Sequence, residues 1–211
     1  AYFDMGKIIN KDPEPVRVVQ LPMDTHVYWK PYTWGYYGSS FLHFILNKPI
    51  FDRTFEPASM ENADIHKQFM DILRLTSTVQ NKELLDDQAQ NLLTLLQSTS
   101  IKYIIDDQTV SINIDSRDIG YWGNINLVDS RQLLSYMEEK GYIQLLKNYT
   151  VSSHEYFPLY TQLYPYNKTP SISYPDRHIY LYKVDGLKPR IQAISSVKKV
   201  HSSLQSIPVE L

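Results

Sequence analysis

The stretch Leu92-Leu93-Thr94-Leu95-Leu96-Gln97-Ser98-Thr99-Ser100-Ile101-Lys102-Tyr103-Ile104-Ile105 decides how this chain is read. Its first half completes a stripe of Leu84, Leu85, Ala89, Leu92, Leu93 and Leu96, the spacing of one helical face. Its second half is a short apolar, β-branched run bounded by Asp106-Asp107, as a buried strand would be. A helix that feeds directly into a buried strand is the αβ half of a βαβ arrangement.

Moving toward the N-terminus, Ile65, Phe69, Ile72 and Leu73 again repeat at helical offsets, which predicts a helix over 59–75 with Ser59 or Asn62 as its cap. Val16-Arg17-Val18-Val19-Gln20-Leu21-Pro22 is β-branched and stops at a proline, so it reads as a core strand. Residues 24–53 lose periodicity and are punctuated by Pro31, Gly35, Gly38 and Pro49; they read as a long aromatic loop with one short helix near 40–46.

Moving toward the C-terminus, Asp129-Ser130-Arg131-Gln132 resembles a capping box. Leu133, Leu134 and Met137 give a helical stripe, and Lys140-Gly141 is a C-terminal stop. Residues 142–149 and 179–184 read as neighbouring strands at a sheet edge, joined by a Tyr/Pro/Ser-rich connection with Pro158, Pro165, Pro170 and Pro175. The expected class is therefore α/β: a small mixed sheet with helices packed on it, a long aromatic loop and an irregular Tyr/Pro-rich segment. Residues 1–190 are expected to form one domain, and 191–211 a tail or the start of a truncated β-rich portion.

Composition narrows the function classes. The 211 residues are long enough for a sizeable core, and 43% hydrophobic with 21% charged residues argues against wholesale disorder. A formal charge of −2 supplies no electrostatic footprint for a phosphate backbone, which excludes nucleic acid as the expected partner. The absence of cysteine removes disulfides, thiolate chemistry and cysteine-ligated zinc. No run reaches the roughly 20 apolar residues that span a bilayer, and no signal peptide is visible. The chain is nonetheless expected to be a piece of a larger, membrane-anchored protein.

Signatures with a clear catalytic mechanism are missing: there is no Gly-x-Ser-x-Gly, phosphate-binding Gly-rich loop, His-Glu-x-x-His or EF-hand loop. The six histidines are scattered, so no metal or other cofactor is expected. Asp24, Asp52, Glu56 and Glu61 cluster in sequence, and a glycosidase would need two such carboxyls facing each other across a sugar; local pairing of Asp52 with Arg53 is the competing reading. Asn148-Tyr149-Thr150 and Asn167-Lys168-Thr169 match the N-glycosylation sequon, a weak sign of export.

The chain holds 17 tyrosines and 3 tryptophans, and they concentrate in Tyr28-Trp29-Lys30-Pro31-Tyr32-Thr33-Trp34-Gly35-Tyr36-Tyr37-Gly38. Tyr and Trp pair an apolar face with a polar tip, which suits stacking on sugars as well as core packing. Trp29, Tyr32, Trp34, Tyr36, Tyr37, Asp52 and Arg53 are therefore the candidate ligand-binding residues. At least two of Trp29, Tyr32, Tyr36 and Tyr37 are expected to be exposed beside a groove holding Asp52 or Arg53; the alternative is a buried aromatic plug.

Three segments carry a family resemblance: Arg17-Val18-Val19-Gln20-Leu21-Pro22, then Tyr32-Thr33-Trp34-Gly35-Tyr36-Tyr37-Gly38, then Lys48-Pro49-Ile50-Phe51-Asp52-Arg53. In that order they resemble the soluble extracytoplasmic part of multi-pass GT-C-type membrane glycosyltransferases. The leucine-rich helix entering Ile101-Lys102-Tyr103-Ile104-Ile105 is similar to a segment of those proteins and of related bacterial envelope membrane proteins. Ile179-Tyr180-Leu181-Tyr182-Lys183-Val184-Asp185 with Lys188-Pro189-Arg190 also fits.

The resemblance implies a parent that transfers sugar from a polyprenyl-phosphate donor on the outer side of the membrane. The catalytic loop of such enzymes lies between transmembrane helices that this chain lacks, so no catalytic residue carries over. It implies a non-catalytic domain at the cell surface or in the periplasm, tethered to the membrane by the transmembrane portion of its parent. Its partners would be that portion and a glycan or lipid-linked sugar. The alternatives are a structural or protein-interaction domain of an envelope protein and a free-standing carbohydrate-active enzyme.

Overall fold

A computed structural model of the chain describes residues 1–23, 30–34, 36–38, 41–52, 60–77, 82–110, 128–152, 154–156, 172–174 and 176–187. The leucine stripe and the run after it fold as read. α3 (Lys82–Ser98) leads through a two-residue turn into β5 (Ile101–Asp107). β1 (Arg17–Leu21) lies parallel to β5, with Val18 opposite Tyr103 and Leu21 opposite Asp106. Parallel strands need a long crossover; the stretch between β1 and β5 contains α2 (Met60–Ser77) and α3.

α2 begins at Met60, so Asn62 lies inside the helix and is not its cap, while Ser59 falls outside the described residues. On α3 the buried stripe is Leu85, Ala89, Leu92, Leu95 and Leu96; Leu84 is one residue out of phase and 38% exposed.

The remaining sheet strands are β4 (Ile50–Phe51), β6 (Ile143–Val151) and β9 (Arg177–Val184). Two short antiparallel pairs stand apart: β2 (Lys30–Pro31) with β3 (Tyr37–Gly38), and β7 (His154–Tyr156) with β8 (Ile172–Tyr174). The main sheet is five-stranded and mixed, in the order β4-β1-β5-β9-β6, with β4, β1 and β5 parallel. β9 runs antiparallel to both its neighbours, and the expected pairing of the last two long strands holds, with β6 at the edge.

Alternation along the strands divides the core in two. Val19, Leu21, Ile104, Tyr182 and Val184 pack under α2, α3 and α4 (Arg131–Glu139). Val18, Tyr103, Ile105, Ile179 and Leu181 pack under α1 (Tyr2–Asn10) and a 3-10 turn at Phe41–Phe44. The predicted short helix is this turn. α1 was not expected, and it can lie close to the turn because residue 6 is glycine: a Cβ there would sit 2.6 Å from Ile45 Cγ2.

The capping box at α4 is only half realised. Ser130 is the N-cap but makes no side-chain cap bond; Asp129 lies one position earlier and accepts the Arg131 backbone N–H at 3.0 Å. The helix end matches the reading. Gly141 has φ +74° and donates to the Glu138 carbonyl at 3.0 Å, while Tyr142 donates to Met137 at 2.9 Å, a Schellman closure. Nothing lies within 4 Å of a Cβ built on Gly141, so Gly141→Ala should cost only the left-handed backbone penalty, about 1 kcal/mol in a urea melt. The Tyr/Pro-rich segment is not wholly irregular, since β7 and β8 pair within it; three-residue strands are too short to show a period. The tail at 191–211 lies outside the described residues.

An ionic clamp joins the end of α1 to the sheet. Lys102 Nζ lies 2.7 Å from Asp12 Oδ2 and 2.9 Å from Glu14 Oε2, and Tyr103 Oη donates to Asp12 Oδ2 at 2.7 Å. Burial alone would raise the Asp12 pKa. Bonds from Lys102, the Glu14 N–H and Tyr103 outweigh it and bring the carboxyl to about 2. Because the folded pKa lies below the unfolded one, the contribution is complete above pH about 4 and is lost as pH falls through about 2. Screening by water leaves about 1 kcal/mol of this. In acid titrations followed by circular dichroism, Lys102→Met should flatten the stability profile between pH about 4 and 2.

Candidate functional site

The topology marks one end of the sheet. The chain leaving β1 reaches β4 by way of the 3-10 turn on the α1 side, whereas the chain leaving β4 reaches β5 by way of α2 and α3 on the opposite side. Connections that diverge from adjacent parallel strands open a crevice at their carboxyl ends, where open α/β sheets bind ligands. Gln20, Asp52, Asp106 and Asp107 all sit at that end, at or just past the last residues of β1, β4 and β5.

On the α1 side these polar groups form a sealed network. Asp107 is fully buried and Gln20 likewise. Tyr2 Oη donates to Asp107 Oδ2 at 2.8 Å, and the Thr109 hydroxyl and backbone N–H reach Oδ1 at 2.6 and 3.1 Å. Gln20 Nε2 donates to Tyr32 Oη at 3.2 Å and lies 3.4 Å from Asp107 Oδ2; Lys30 Nζ donates to Gln20 Oε1 at 3.3 Å.

Burial raises the Asp107 pKa, against the lowering pull of Thr109, Tyr2 and the Lys30 charge. Burial, with Asp107 nearby, also pushes the Tyr2 and Tyr32 phenols far up, so both remain protonated donors. On the other side of the sheet Asp106 is 4% exposed. Burial lifts its carboxyl to about 7, aided by Asp107 and Asp129 and opposed by Gln108 and Arg131.

The aromatic residues lean on this network. Trp34 Nε1 donates to Tyr2 Oη at 3.3 Å. Trp34 and Tyr36 stack with centroids 5.5 Å apart and planes 12° apart, and both are half-buried. Phe41 meets Tyr36 edge-on at 5.7 Å and Trp34 at 5.6 Å, while Tyr32 lies 5.1 Å from Trp34.

The structure thus brings together Tyr32, Trp34 and Tyr36, but not as an exposed row. Tyr32, one of the four rings of which at least two were expected to be exposed, is 2% exposed because its hydroxyl is satisfied inside by Gln20 and its ring by three neighbours. Asp52 is also 2% exposed, with His43 Nε2 3.4 Å from its Oδ1. Trp29, Arg53 and the side chain of Tyr37 lie outside the described residues.

Sequence reasoning missed Tyr2, Gln20, Lys30, Asp107 and Thr109. The available signals were a glutamine inside an otherwise apolar strand and two acids ending another. Among the described residues no group of three His, Asp or Glu could hold a metal ion, and no helix is long and apolar enough to cross a membrane.

No family model matches the chain, and no curated protein matches it. Among solved structures, it is similar to the cryo-electron-microscopy structure of the arabinofuranosyltransferase AftD from Mycobacteria, at 12% identity and a TM-score of 0.46. The match covers 87% of this chain and 12% of that one. So remote a likeness carries no argument about activity.

Proposed function

We propose that this chain is a non-catalytic, extracytoplasmic accessory domain of a membrane glycosyltransferase that uses a lipid-linked sugar donor, and that it holds a glycan or acceptor on the Trp34 and Tyr36 rings. The observation behind the binding surface is the stacked, half-buried Trp34–Tyr36 pair at the carboxyl end of the parallel strands. Rings held in near-parallel planes at low entropy cost offer apolar surface to a sugar, and the Tyr2 hydroxyl accepts the indole N–H. The membrane setting comes from the sequence resemblance.

Titration of the purified chain with pyranose and furanose oligosaccharides, read by saturation-transfer NMR, tests the surface. Binding is expected to weaken at least about tenfold in Trp34→Ala, a loss of about 1.4 kcal/mol. Absence of binding to every sugar in the intact chain would refute it.

A second reading, a structural or protein-interaction domain with no sugar ligand, is favoured by the closure of the polar network: Gln20, Lys30, Tyr32 and Asp107 bond to one another behind almost complete burial. On that reading Trp34→Ala lowers stability in a urea melt while no oligosaccharide binds either form.

A further inference from the structure

The outward side of α1 carries a feature unconnected with the carboxyl-end site. With Met5, Gly6 and Ile9 turned inward, Phe3, Lys7 and Lys11 follow one another at i, i+4 and i+8 on the exposed side of the helix and its cap. Phe3 is 75% exposed. The 3-10 turn lies alongside: Tyr2 meets Phe41 edge-on at 4.7 Å, Asn10 Nδ2 donates to the Ile45 carbonyl at 2.9 Å, and the Asn47 N–H donates to Asn10 Oδ1 at 2.9 Å. From that turn Phe44 projects with 91% exposure. Phe44 and Phe3 are the two most exposed large hydrophobic residues among those described.

Of the charged groups on α1 and its cap, Lys7 and Lys11 follow Phe3 along one side. Asp4, the acid of α1, is turned toward β6, where it accepts the Tyr149 hydroxyl at 2.9 Å. Lys7 and Lys11 are exposed and form no ion pair with a described residue. Two exposed phenylalanines, one of them in line with the Lys7 and Lys11 ammonium groups, match an anionic lipid surface, where rings enter the headgroup boundary and lysines meet phosphate. An apolar protein patch would use the rings but leave the lysines unanswered.

We infer that α1 and the 3-10 turn form a peripheral docking surface for an anionic phospholipid bilayer, with Phe3 and Phe44 entering the interface and Lys7 and Lys11 held at the headgroups. The inference goes beyond the glycan reading and does not depend on it.

Co-sedimentation of the purified chain with phosphatidylcholine vesicles, with and without about 30% phosphatidylglycerol, tests it. Binding is expected only to the anionic vesicles, with strong weakening in high salt. F3S/F44S should weaken it at least about tenfold, and K7E/K11E roughly 30-fold. All four side chains are exposed, so the circular dichroism of both variants should match the parent. No sedimentation with anionic vesicles, or equal sedimentation with neutral ones, would overturn the inference. So would a lipid-free dimer that F3S/F44S dissociates in sedimentation velocity, which would assign this face to a second copy of the chain.

Discussion

Asp107→Ala is expected to lower the stability of the chain by about 3 to 5 kcal/mol, enough to remove much of the stability of an ordinary domain. The carboxylate lies at 0% exposure and accepts from Tyr2 and from both the hydroxyl and N–H of Thr109. Removing it strands those donors away from water and takes away a negative charge that interacts with the buried Lys30 ammonium. Asp107→Asn keeps the shape and one acceptor, but its amide NH2 must face donors, so a smaller loss of about 1 to 3 kcal/mol is expected. Urea denaturation of the two variants measures the difference; a loss below about 1 kcal/mol in the alanine variant would mean that the network contributes little.

The second large effect belongs to the apolar side. Phe69 is 1% exposed, packs 5.4 Å from the Phe51 ring and belongs to the core beneath α2, α3 and α4. Phe69→Ala should cost about 3 to 5 kcal/mol, the lost transfer of the ring plus the cavity it leaves. Leu75, near the end of the same helix and 50% exposed, serves as the control, and Leu75→Ala should stay within about 0.5 kcal/mol of the parent. Similar losses at both positions would mean that α2 does not pack on the sheet through Phe69.

Strands and helices whose apolar pattern is long were legible in the sequence. Ile101 to Ile105 and Val16 to Leu21 announce themselves as strands, and the α3 leucines repeat often enough to define a face, although Leu84 was placed on the wrong side of it. α1 escaped because only Met5 and Ile9 mark its fully buried apolar side and Gly6 is a poor helix former. β4 has two residues, too few for any period.

The site was legible only in composition. A tyrosine-rich segment does not reveal whether a ring faces water, and the burial of Tyr32 depends on Gln20 and on the rings of Trp34, Tyr36 and Phe41. Asp106-Asp107 read as the end of a strand, which they are. That the two acids enter opposite sides of the sheet, one toward Tyr2 and the other toward Gln108, follows from strand alternation once the sheet has been assembled.

The strand order also constrains how the chain is made. As the polypeptide leaves the ribosome, β1 emerges with only the two residues of β4 to follow it into the sheet, and Val18 waits for Tyr103 before its other edge is covered. β9, which flanks β5, arrives later still. Pairings so distant in sequence make folding slow and leave strand edges bare during synthesis. In the nascent N-terminal half the apolar edge of Arg17–Leu21 is therefore open to pairing with another chain until β5 arrives.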